Sequence, residues 1–369
     1  MSWTDQRIDQ LKALWDKGLT ASQIAEELGG VSRNAVIGKA HRLGLKSRPS
    51  PVKANDTDKK AAPKKPAAAA PAKAPAPAAP VRPRAAAPGL SQRDLIYLVT
   101  PDRFANGNPS NDDVAGMTER GSDRNHNYKR HGGDLAGMIA HLDYVKSLGA
   151  TAVWPMPLLE NDMPAASYHG YAITDHYRID PRYGTHSDYV NWVDGLHARG
   201  MKAIKDMVFN HVGTGHYLYQ SPPDSSWFNA WPSAPANDPR AKARGEEKPA
   251  FTSIHRYQTL YDPYAAARDR ERQTDGWFVG SMPDVNGRDP HCARYLIQNS
   301  LWWIEEAQLD GFRVDTWLYP DQAFMREWMA AVKAFEPQFY VYSESWVHSA
   351  HAQAFYLETH PDLTGAADF

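Results

Sequence analysis

Residues Gly311–Trp317 read GFRVDTW, and this stretch decides the fold. Its alternation predicts a short buried strand from Gly311 to Val314 that ends on Asp315. The side chains of Arg313 and Asp315 then share one face of the pleat. A guanidinium two residues from a carboxylate favours its ionised form and orients it through hydrogen bonds. Alone, the pattern is more typical of a surface ion pair on an edge strand, so the flanking sequence has to decide.

Strands and helices alternate on both sides of this stretch. The other predicted strands are 95–99, 151–154, 202–208, 339–343 and 365–369, and the predicted helices are 134–148, 187–198, 290–307, 322–335 and 348–357. Repeated strand–helix units predict a parallel sheet with right-handed crossovers. The predicted fold class is therefore α/β: an incomplete (β/α)8 TIM barrel of about six strands in residues 89–369, with an inserted loop subdomain at 211–288 after the third strand.

Three predicted strands end in acidic groups: Asp206, Asp315 and Glu344. In a barrel these strand ends meet at one face. Two carboxyls there, one ionised beside Arg313 and one protonated, are what the cleavage of a glycosidic bond requires. Nearby aromatic side chains are suited to stacking on sugar rings, although core packing is the alternative for each of them: Tyr168, Tyr171, Trp227, Trp231, Trp277, Trp317 and Trp346. For Trp302 and Trp303, inside a predicted helix, we favour core packing.

Residues 95–369 resemble the catalytic barrel of glycoside hydrolase family 13, the α-amylase family, and in particular its neopullulanase and cyclomaltodextrinase branch. The resemblance lies in ordered segments: YHGYAITDHYRIDPRYGT (168–185), DMVFNH (206–211), MPDVN (282–286), GFRVDT (311–316) and SESW (343–346). It implies a hydrolase that acts on α-1,4- and α-1,6-linked glucans and retains the anomeric configuration, with its two carboxyls ~5 Å apart.

The resemblance also implies a role for each site residue. Asp315 would be the nucleophile, Glu344 the general acid and then base, and Arg313 the residue that orients Asp315. The residues implied around the substrate are Tyr171, which stacks on the sugar, His211, which hydrogen-bonds it, Asp206, which supports Arg313, and also His169 and Trp346.

The loop DRFANGNPSNDD (102–113) gathers hard oxygen donors, which suit Ca²⁺. A turn rich in Asn, Asp and Gly is the alternative reading. The resemblance implies a structural Ca²⁺ held by Asn106, Asn108, Asn111 and Asp112, joined by Gly132 and Asp134.

Two features depart from the family. Its third acid stands in a His-Asp pair after the seventh strand, and none of the 15 histidines here precedes an Asp. We therefore expect a barrel without its seventh and eighth strands, with open edges and impaired catalysis. Leu318 and Tyr319 replace the dipeptide usual after the nucleophile, which leaves the acceptor-side contacts open.

Residues 1–48 predict three short helices, the last two forming a helix-turn-helix. The third would place Arg33 and Asn34 near base edges and Lys39 and Arg42 near phosphates. A trihelical protein-binding module is the alternative from the pattern alone. The segment resembles the N-terminal DNA-binding domain of GcrA-type cell-cycle regulators, which implies binding to double-stranded DNA. The family also binds an RNA polymerase sigma factor through a separate C-terminal domain, to which nothing here is similar.

Residues 49–88 predict a disordered linker, because 25 of the 40 are Ala or Pro. They carry eight Lys and Arg against two Asp, so their charge is basic. The polar, acidic start of the chain predicts no signal peptide, and no apolar run approaches a membrane span. The lone Cys292 excludes an internal disulfide and favours a cytoplasmic location.

Two readings therefore stand side by side. In the first, the chain is an α-glucan hydrolase, weakened by its incomplete barrel. In the second, it is a DNA-binding regulator that carries an inert barrel. A join of two unrelated reading frames is a third possibility, which sequencing of the transcript across 85–95 addresses.

Overall fold

The chain divides into two units, Met1–Ala79 and Pro80–Phe369, which we describe separately. The computed structural model describes residues 5–17, 19, 21–29, 36, 39–40, 43, 89–229, 259–347 and 349–367. The predicted linker at 49–88 lies outside these residues, as do Arg33, Asn34 and Arg42 of the predicted DNA-binding face.

The first unit is helical where it is described. Helix α1 spans Asp5–Asp16 and α2 spans Ala21–Leu28. Four apolar side chains from three segments form its buried cluster: Leu11, Ile24, Leu28 and Val36. Positions 36, 39 and 40 are helical, with Val36 and Ala40 buried and Lys39 half-buried. The amphipathic spacing predicted for the three helices thus matches the positions described.

The second unit is built on six parallel strands: β1 Ile96–Val99, β2 Ala152–Pro155, β5 Lys202–Met207, β6 Gly311–Val314, β7 Tyr340–Glu344 and β8 Gly365–Ala367. Their order in the sheet is β1-β2-β5-β6-β7-β8. All neighbouring pairs are parallel. The predicted incomplete α/β barrel of about six strands is confirmed, with the Gly311–Val314 strand buried at its centre.

A two-stranded antiparallel sheet follows β2 and was not predicted. It pairs β3 (Leu159–Glu160) with β4 (Asp175–Ile179). Neither strand has the length or apolar alternation that marks a strand in a sequence. This hairpin matters because the residues between its strands, including Tyr171, reach the site at the ends of the parallel strands.

Nine α-helices are described in this unit: α3 Pro101–Phe104, α4 Leu135–Ala140, α5 Leu142–Ser147, α6 His186–His197, α7 Tyr217–Gln220, α8 Ala267–Asp275, α9 Pro290–Ala307, α10 Gln322–Phe335 and α11 Ala350–Thr359. The single helix predicted at 134–148 is wrong: it breaks at His141, whose backbone leaves the helical region. The ring Nδ1 of His141 lies 2.8 Å from the Gly137 carbonyl oxygen and competes with the helical hydrogen bond there.

The inserted segment predicted at 211–288 is described for 211–229 and 259–288. Two isolated antiparallel bridges, His211 to Asp284 and Phe228 to Val285, join the first described part of the insertion to residues near its end. The insertion therefore returns to the mouth of β5, where the segment DMVFNH ends. No described helix is long and apolar enough to cross a membrane.

Candidate active site

Strand register brings the first two acids of the site together. Asp206 on β5 lies opposite Arg313 on β6. Nη1 of Arg313 donates to both carboxylate oxygens of Asp206, at 2.9 and 3.0 Å, and to Oδ1 of Asp315 at 2.8 Å. Arg313 and Asp315 therefore share one face of the strand, as the alternation of GFRVD predicts.

The third acid arrives from the neighbouring strand. Glu344 ends β7, and its Oε1 lies 2.8 Å from Nη2 of Arg313. The other oxygen, Oε2, accepts the backbone N–H of Thr316 at 2.9 Å. One buried guanidinium thus contacts three carboxyl groups, and the cluster carries excess negative charge if all three are ionised. At least one of them is expected to hold a proton.

Glu344 is the candidate for carrying that proton, within a cluster where burial raises the pKa of all three carboxyls. Burial, and then the negative charge of Asp315, raise the pKa of Glu344 to about 7, against the opposing effect of Arg313. Burial also raises the pKa of Asp315, so the simple expectation that Arg313 lowers it is wrong in its net direction, although Arg313 does oppose the rise. The hydrogen bond between the two carboxyls raises the pKa of Glu344 and lowers that of Asp315.

The backbone is strained between these acids. Thr316 has a φ of 49°, in the left-handed region that β-branched residues avoid. This conformation directs its N–H at Glu344, while its Oγ1 donates to Oδ2 of Asp315 at 3.1 Å. Strain of this kind persists where surrounding contacts fix it, and it is concentrated at functional sites.

The indole ring of Trp154 contacts both Asp206 and Arg313. Nε1 of Trp154, at the end of β2, donates to Oδ2 of Asp206 at 2.9 Å. The guanidinium of Arg313 lies over its ring, 4.9 Å from the ring centroid. Trp154 therefore fixes Asp206 and Arg313 at once, a role that the sequence analysis did not assign to it.

A cavity of about 330 Å³ opens above the acids. It is lined by Tyr171, His211, Phe278, Met282, Arg313, Asp315, Thr316, Tyr319, Glu344 and Trp346. Its aromatic walls and acidic floor suit a polar ligand with apolar ring faces. The volume lies within the range of about 300–1,000 Å³ usual for ligand sites.

The residues predicted around the substrate occupy two layers. Tyr171, His211 and Trp346 line the cavity. The Nε2 atom of His211 is buried without a hydrogen-bond partner among the described residues, and burial lowers the pKa of this histidine to about 4, so the ring is neutral. Asp206 and His169 lie behind this layer: the Tyr171 OH is 3.3 Å from Asp206, and His169 Nδ1 accepts the Tyr171 N–H at 2.9 Å.

The other predicted aromatic residues divide between the core and its margins. Trp317 and Trp227 are buried in the core, at 0% and 6% exposure, so stacking on a sugar is wrong for them. Trp277 donates its indole N–H to the Asn229 carbonyl oxygen. Tyr168 lies under the guanidinium of Arg103. Trp231 lies outside the described residues.

Sequence reasoning missed several residues of the site. Thr316, Phe278 and Met282 line the cavity. The segment MPDVN contains Met282, which is the signal that pointed to this region. Tyr319 packs edge-on against Phe278 with 4.9 Å between ring centroids, so an aromatic pair forms the wall that the sequence left open.

The Asn-rich loop has some features of a cation site. The Oδ1 atoms of Asn106 and Asn111 are buried without hydrogen-bond partners among the described residues. Asn106 Nδ2 lies 2.8 Å from Asp112 Oδ1, and a Cβ on Gly132 would meet both side chains. Orphaned oxygens of this kind suit Ca²⁺. No group of three or more His, Cys, Asp or Glu that could hold a metal occurs in the described part of the chain.

Asp134 and Asn108, two of the predicted Ca²⁺ ligands, already accept hydrogen bonds from the loop and from helix α4. The carboxylate of Asp134 caps helix α4 and accepts the N–H groups of Gly107, Asn108 and Gly137 at 3.0, 2.8 and 2.7 Å. Oδ1 of Asn108 accepts from Ser110. These contacts shape the loop, and they leave Asn106, Asn111, Asp112 and the backbone near Gly132 as the better donors.

Two protein-family models match this chain. The family model for the α-amylase catalytic domain matches residues 98–364. The model of the GcrA cell cycle regulator matches residues 1–128.

Individual proteins agree with the first match. A maltogenic α-amylase of Bacillus acidopullulyticus is 30% identical over 260 residues, which cover 70% of this chain. Neopullulanase 2 of Thermoactinomyces vulgaris is 29% identical over 263 residues, again 70% of this chain. The chain spans only 40% of the length of either relative. The structure of a Geobacillus thermoleovorans α-amylase complexed with acarbose has a TM-score of 0.56 and 31% identity, covering 74% of this chain and 51% of that one.

Proposed function

This chain belongs to the α-amylase family, and from that premise we propose that it is a retaining glycoside hydrolase acting on α-1,4- and α-1,6-linked glucans. The observation that carries the proposal is the contact of Asp315 and Glu344 with one guanidinium. Burial, which raises the pKa of Glu344 to about 7, supports Glu344 as the proton donor. A protonated acid beside an ionised one is the arrangement that glycoside cleavage uses.

The proposed reaction has two steps. In the first, an Asp315 oxygen forms a bond to the anomeric carbon while Glu344 gives its proton to the leaving oxygen. In the second, Glu344 takes a proton from water, which attacks the same carbon and releases Asp315. Two carboxyls that share a hydrogen bond and one arginine are too close for the ~6.5–9.5 Å spacing of inverting enzymes, so the configuration is retained.

The substrate class follows from the cavity and the relatives. Tyr171 and Trp346 offer ring faces, and Nε2 of His211, which has no hydrogen-bond partner in the part of the chain that the structure describes, is available for a sugar hydroxyl. The relatives are named maltogenic amylases, cyclomaltodextrinases and a neopullulanase. Maltooligosaccharides, cyclomaltodextrins and pullulan are therefore the substrates to test.

We also propose that these 369 residues, assayed alone, turn over slowly. The family resemblance implies a third acid in a His-Asp pair, and no such pair occurs in the sequence. An absent group that binds the transition state costs on the order of 100-fold or more in rate. Measurable but slow hydrolysis is thus the expected result.

A structural Ca²⁺ is proposed at the Asn-rich loop. Asn106, Asn111 and Asp112 would hold it, together with backbone oxygen near Gly132, and the orphaned Asn oxygens support the assignment. The ion would brace the loop that leads from β1 to α4, and it would take no part in bond cleavage.

A second function, binding of double-stranded DNA, is proposed for the first unit. Its support is the GcrA match, together with the buried cluster that orders three helical segments. Arg33, Asn34, Lys39 and Arg42 would form the basic face. Sigma-factor association is not proposed. A gel shift with duplex DNA, weakened by Arg33→Ala with Asn34→Ala, would test this function, and unchanged binding would contradict it.

We place the protein in the cytoplasm by proposal, since its lone Cys292 is free and buried. A relative from Bacillus subtilis is described as an intracellular maltogenic amylase.

Hydrolysis is tested by measuring reducing sugar released from cyclomaltodextrin and pullulan by the full chain. Activity that disappears in Asp315→Ala supports the proposed function, and activity that is unchanged in that variant contradicts it.

A further inference from the structure

A second cavity of about 440 Å³ lies on the outer surface of the second unit, between the start of α6 and the end of α9. We call it the outer groove and define it by Tyr177, Arg178, Thr185, His186, Trp302 and Glu306. It shares no lining residue with the catalytic cavity. Its size alone is within the range of ligand sites.

Two aromatic rings form the wall of the outer groove. The rings of Tyr177 and Trp302 lie 5.2 Å apart at 60°, and the His186 ring lies 5.5 Å from Trp302. Trp302 is half-buried, whereas its neighbour Trp303 is fully buried and donates its indole N–H to the His176 carbonyl oxygen at 2.9 Å. Core packing therefore accounts for Trp303, and it leaves part of the Trp302 ring presented to the groove.

The charged groups around this wall are already paired. Arg178 lies 2.8 Å from Glu160, and His186 Nε2 lies 2.9 Å from Oε1 of Glu306. A phosphate or a carboxylate ligand would have to compete with these pairs. An uncharged ligand would meet aromatic faces together with side chains that can still donate and accept hydrogen bonds at the rim.

An uncharged ligand with apolar ring faces and many hydroxyls is a sugar. Its C–H face packs against an aromatic ring, and its hydroxyls bond to the polar rim. We propose that the outer groove is a second α-glucan-binding site, remote from catalysis. The choice of α-glucan rests on the proposed function, whereas the neutral aromatic groove is an observation on its own.

The benefit of such a site is local concentration. A polysaccharide held at the outer groove stays attached while another part of it, or a neighbouring chain, enters the catalytic cavity. The effect is confined to polymers, because a short oligosaccharide cannot occupy the groove and the catalytic cavity at the same time. Binding in the groove therefore does not raise its concentration at the catalytic cavity. Loss of the groove should therefore weaken binding to amylopectin and leave hydrolysis of short substrates unchanged.

Affinity electrophoresis in native gels containing soluble amylopectin tests the proposal. The full chain carries Asp315→Ala, so that the polymer is not consumed. In this background Trp302→Ala is compared with Trp346→Ala at the catalytic cavity and with Tyr264→Ala, a matched aromatic control whose side chain is 93% exposed. Arg178→Ala, at an exposed rim position, serves as a second groove variant if Trp302→Ala does not fold.

The expected result is that Trp302→Ala raises the apparent Kd for amylopectin roughly tenfold, while Tyr264→Ala leaves it unchanged. If Trp302→Ala and Arg178→Ala are still retarded and Trp346→Ala is not, the polymer binds at the catalytic cavity. That result would overturn the proposal that the outer groove binds α-glucan. An unretarded parent would also overturn it. Retardation that depends on Trp302, in a chain whose unsubstituted form hydrolyses nothing, would support the groove and contradict the proposed hydrolase.

Discussion

Nη2 of Arg313 lies 2.8 Å from Oε1 of Glu344. The same guanidinium, through Nη1, also holds Asp206 and Asp315. The proposed acid, the proposed nucleophile and a supporting carboxylate are therefore fixed by one planar group. An arginine can do this because its donors form a rigid fork, which the single ammonium of lysine lacks.

Arg313→Lys should consequently lower kcat by on the order of 100-fold or more, even though the charge is kept. A lysine ammonium cannot bond all three carboxyls, so some of them are left unpaired in a buried site. The melting temperature of the variant should therefore be lower than that of the wild type. Steady-state assays on cyclomaltodextrin and thermal melts check both effects. Wild-type rates in Arg313→Lys would show that the fork geometry is unimportant.

The raised pKa of Glu344 sets the alkaline limb of activity. Because Glu344 must carry a proton to act as an acid, kcat/KM should fall as the pH rises through about 7. Glu344→Gln should be almost inactive and should lack this limb in any residual activity. A kcat/KM that keeps rising above pH 8 would contradict the assignment of Glu344 as the general acid.

The same shift affects stability. Burial raises the pKa of Glu344 in the folded protein to about 7, above the ordinary glutamate value of 4.5, so the folded state binds the proton more tightly than the unfolded chain does. Stability from this group is present below about 4.5 and is lost as the pH rises through about 7. Glu344→Gln, which stays neutral, should gain melting temperature relative to the wild type at pH 8 more than at pH 5. Equal differences at both values would contradict the shift.

Trp154→Phe tests the support beneath Asp206. Phenylalanine keeps a ring under Arg313 but removes the N–H that Asp206 accepts, and we expect roughly a tenfold loss in kcat with KM almost unchanged. A merely structural role would lower the melting temperature without that selective effect on kcat. Trp192→Phe, at a core tryptophan away from the cavity, is the matched control.

The positive φ of Thr316 predicts a difference between two small substitutions. Both Thr316→Ala and Thr316→Gly remove the hydroxyl near Asp315, but only glycine accepts a φ of 49° without strain. Thr316→Gly should therefore be about 1 kcal/mol more stable than Thr316→Ala. Denaturant unfolding measures the difference, and a more stable alanine variant would mean that this backbone is unstrained.

Chelation tests the proposed Ca²⁺. EDTA should lower the melting temperature by a few degrees, as loss of a ligand specific to the folded state does. Asn106→Ala should abolish the EDTA effect, whereas Asn125→Ala, at an exposed position outside the loop, should preserve it. An EDTA effect of equal size in Asn106→Ala would place any bound ion elsewhere.

Much of this site could be predicted because strand alternation is a local property. GFRVD places Arg313 and Asp315 on one face, and the structure gives them a 2.8 Å contact. Parallel strands bring Asp206 and Glu344 to the same edge for the same reason. The net direction of the Asp315 pKa could not be predicted, since burial depends on the whole fold and outweighs the neighbouring arginine.

Other features lay beyond sequence reasoning for identifiable reasons. The hairpin of Leu159–Glu160 and Asp175–Ile179 is too short and irregular to show alternation. The break at His141 comes from a side chain that bonds the preceding turn, which no apolar periodicity records. The bond from Trp154 to Asp206 joins residues 52 positions apart, and only the sheet brings them together.

The most direct test of the central claim is mass spectrometry of the protein after incubation with a fluorinated α-glucosyl fluoride that slows release of the intermediate. We predict one covalent glycosyl adduct, located on the peptide that contains Asp315 and absent from Asp315→Ala. Turnover of the reagent without an adduct on Asp315, or an adduct on another residue, would contradict the account.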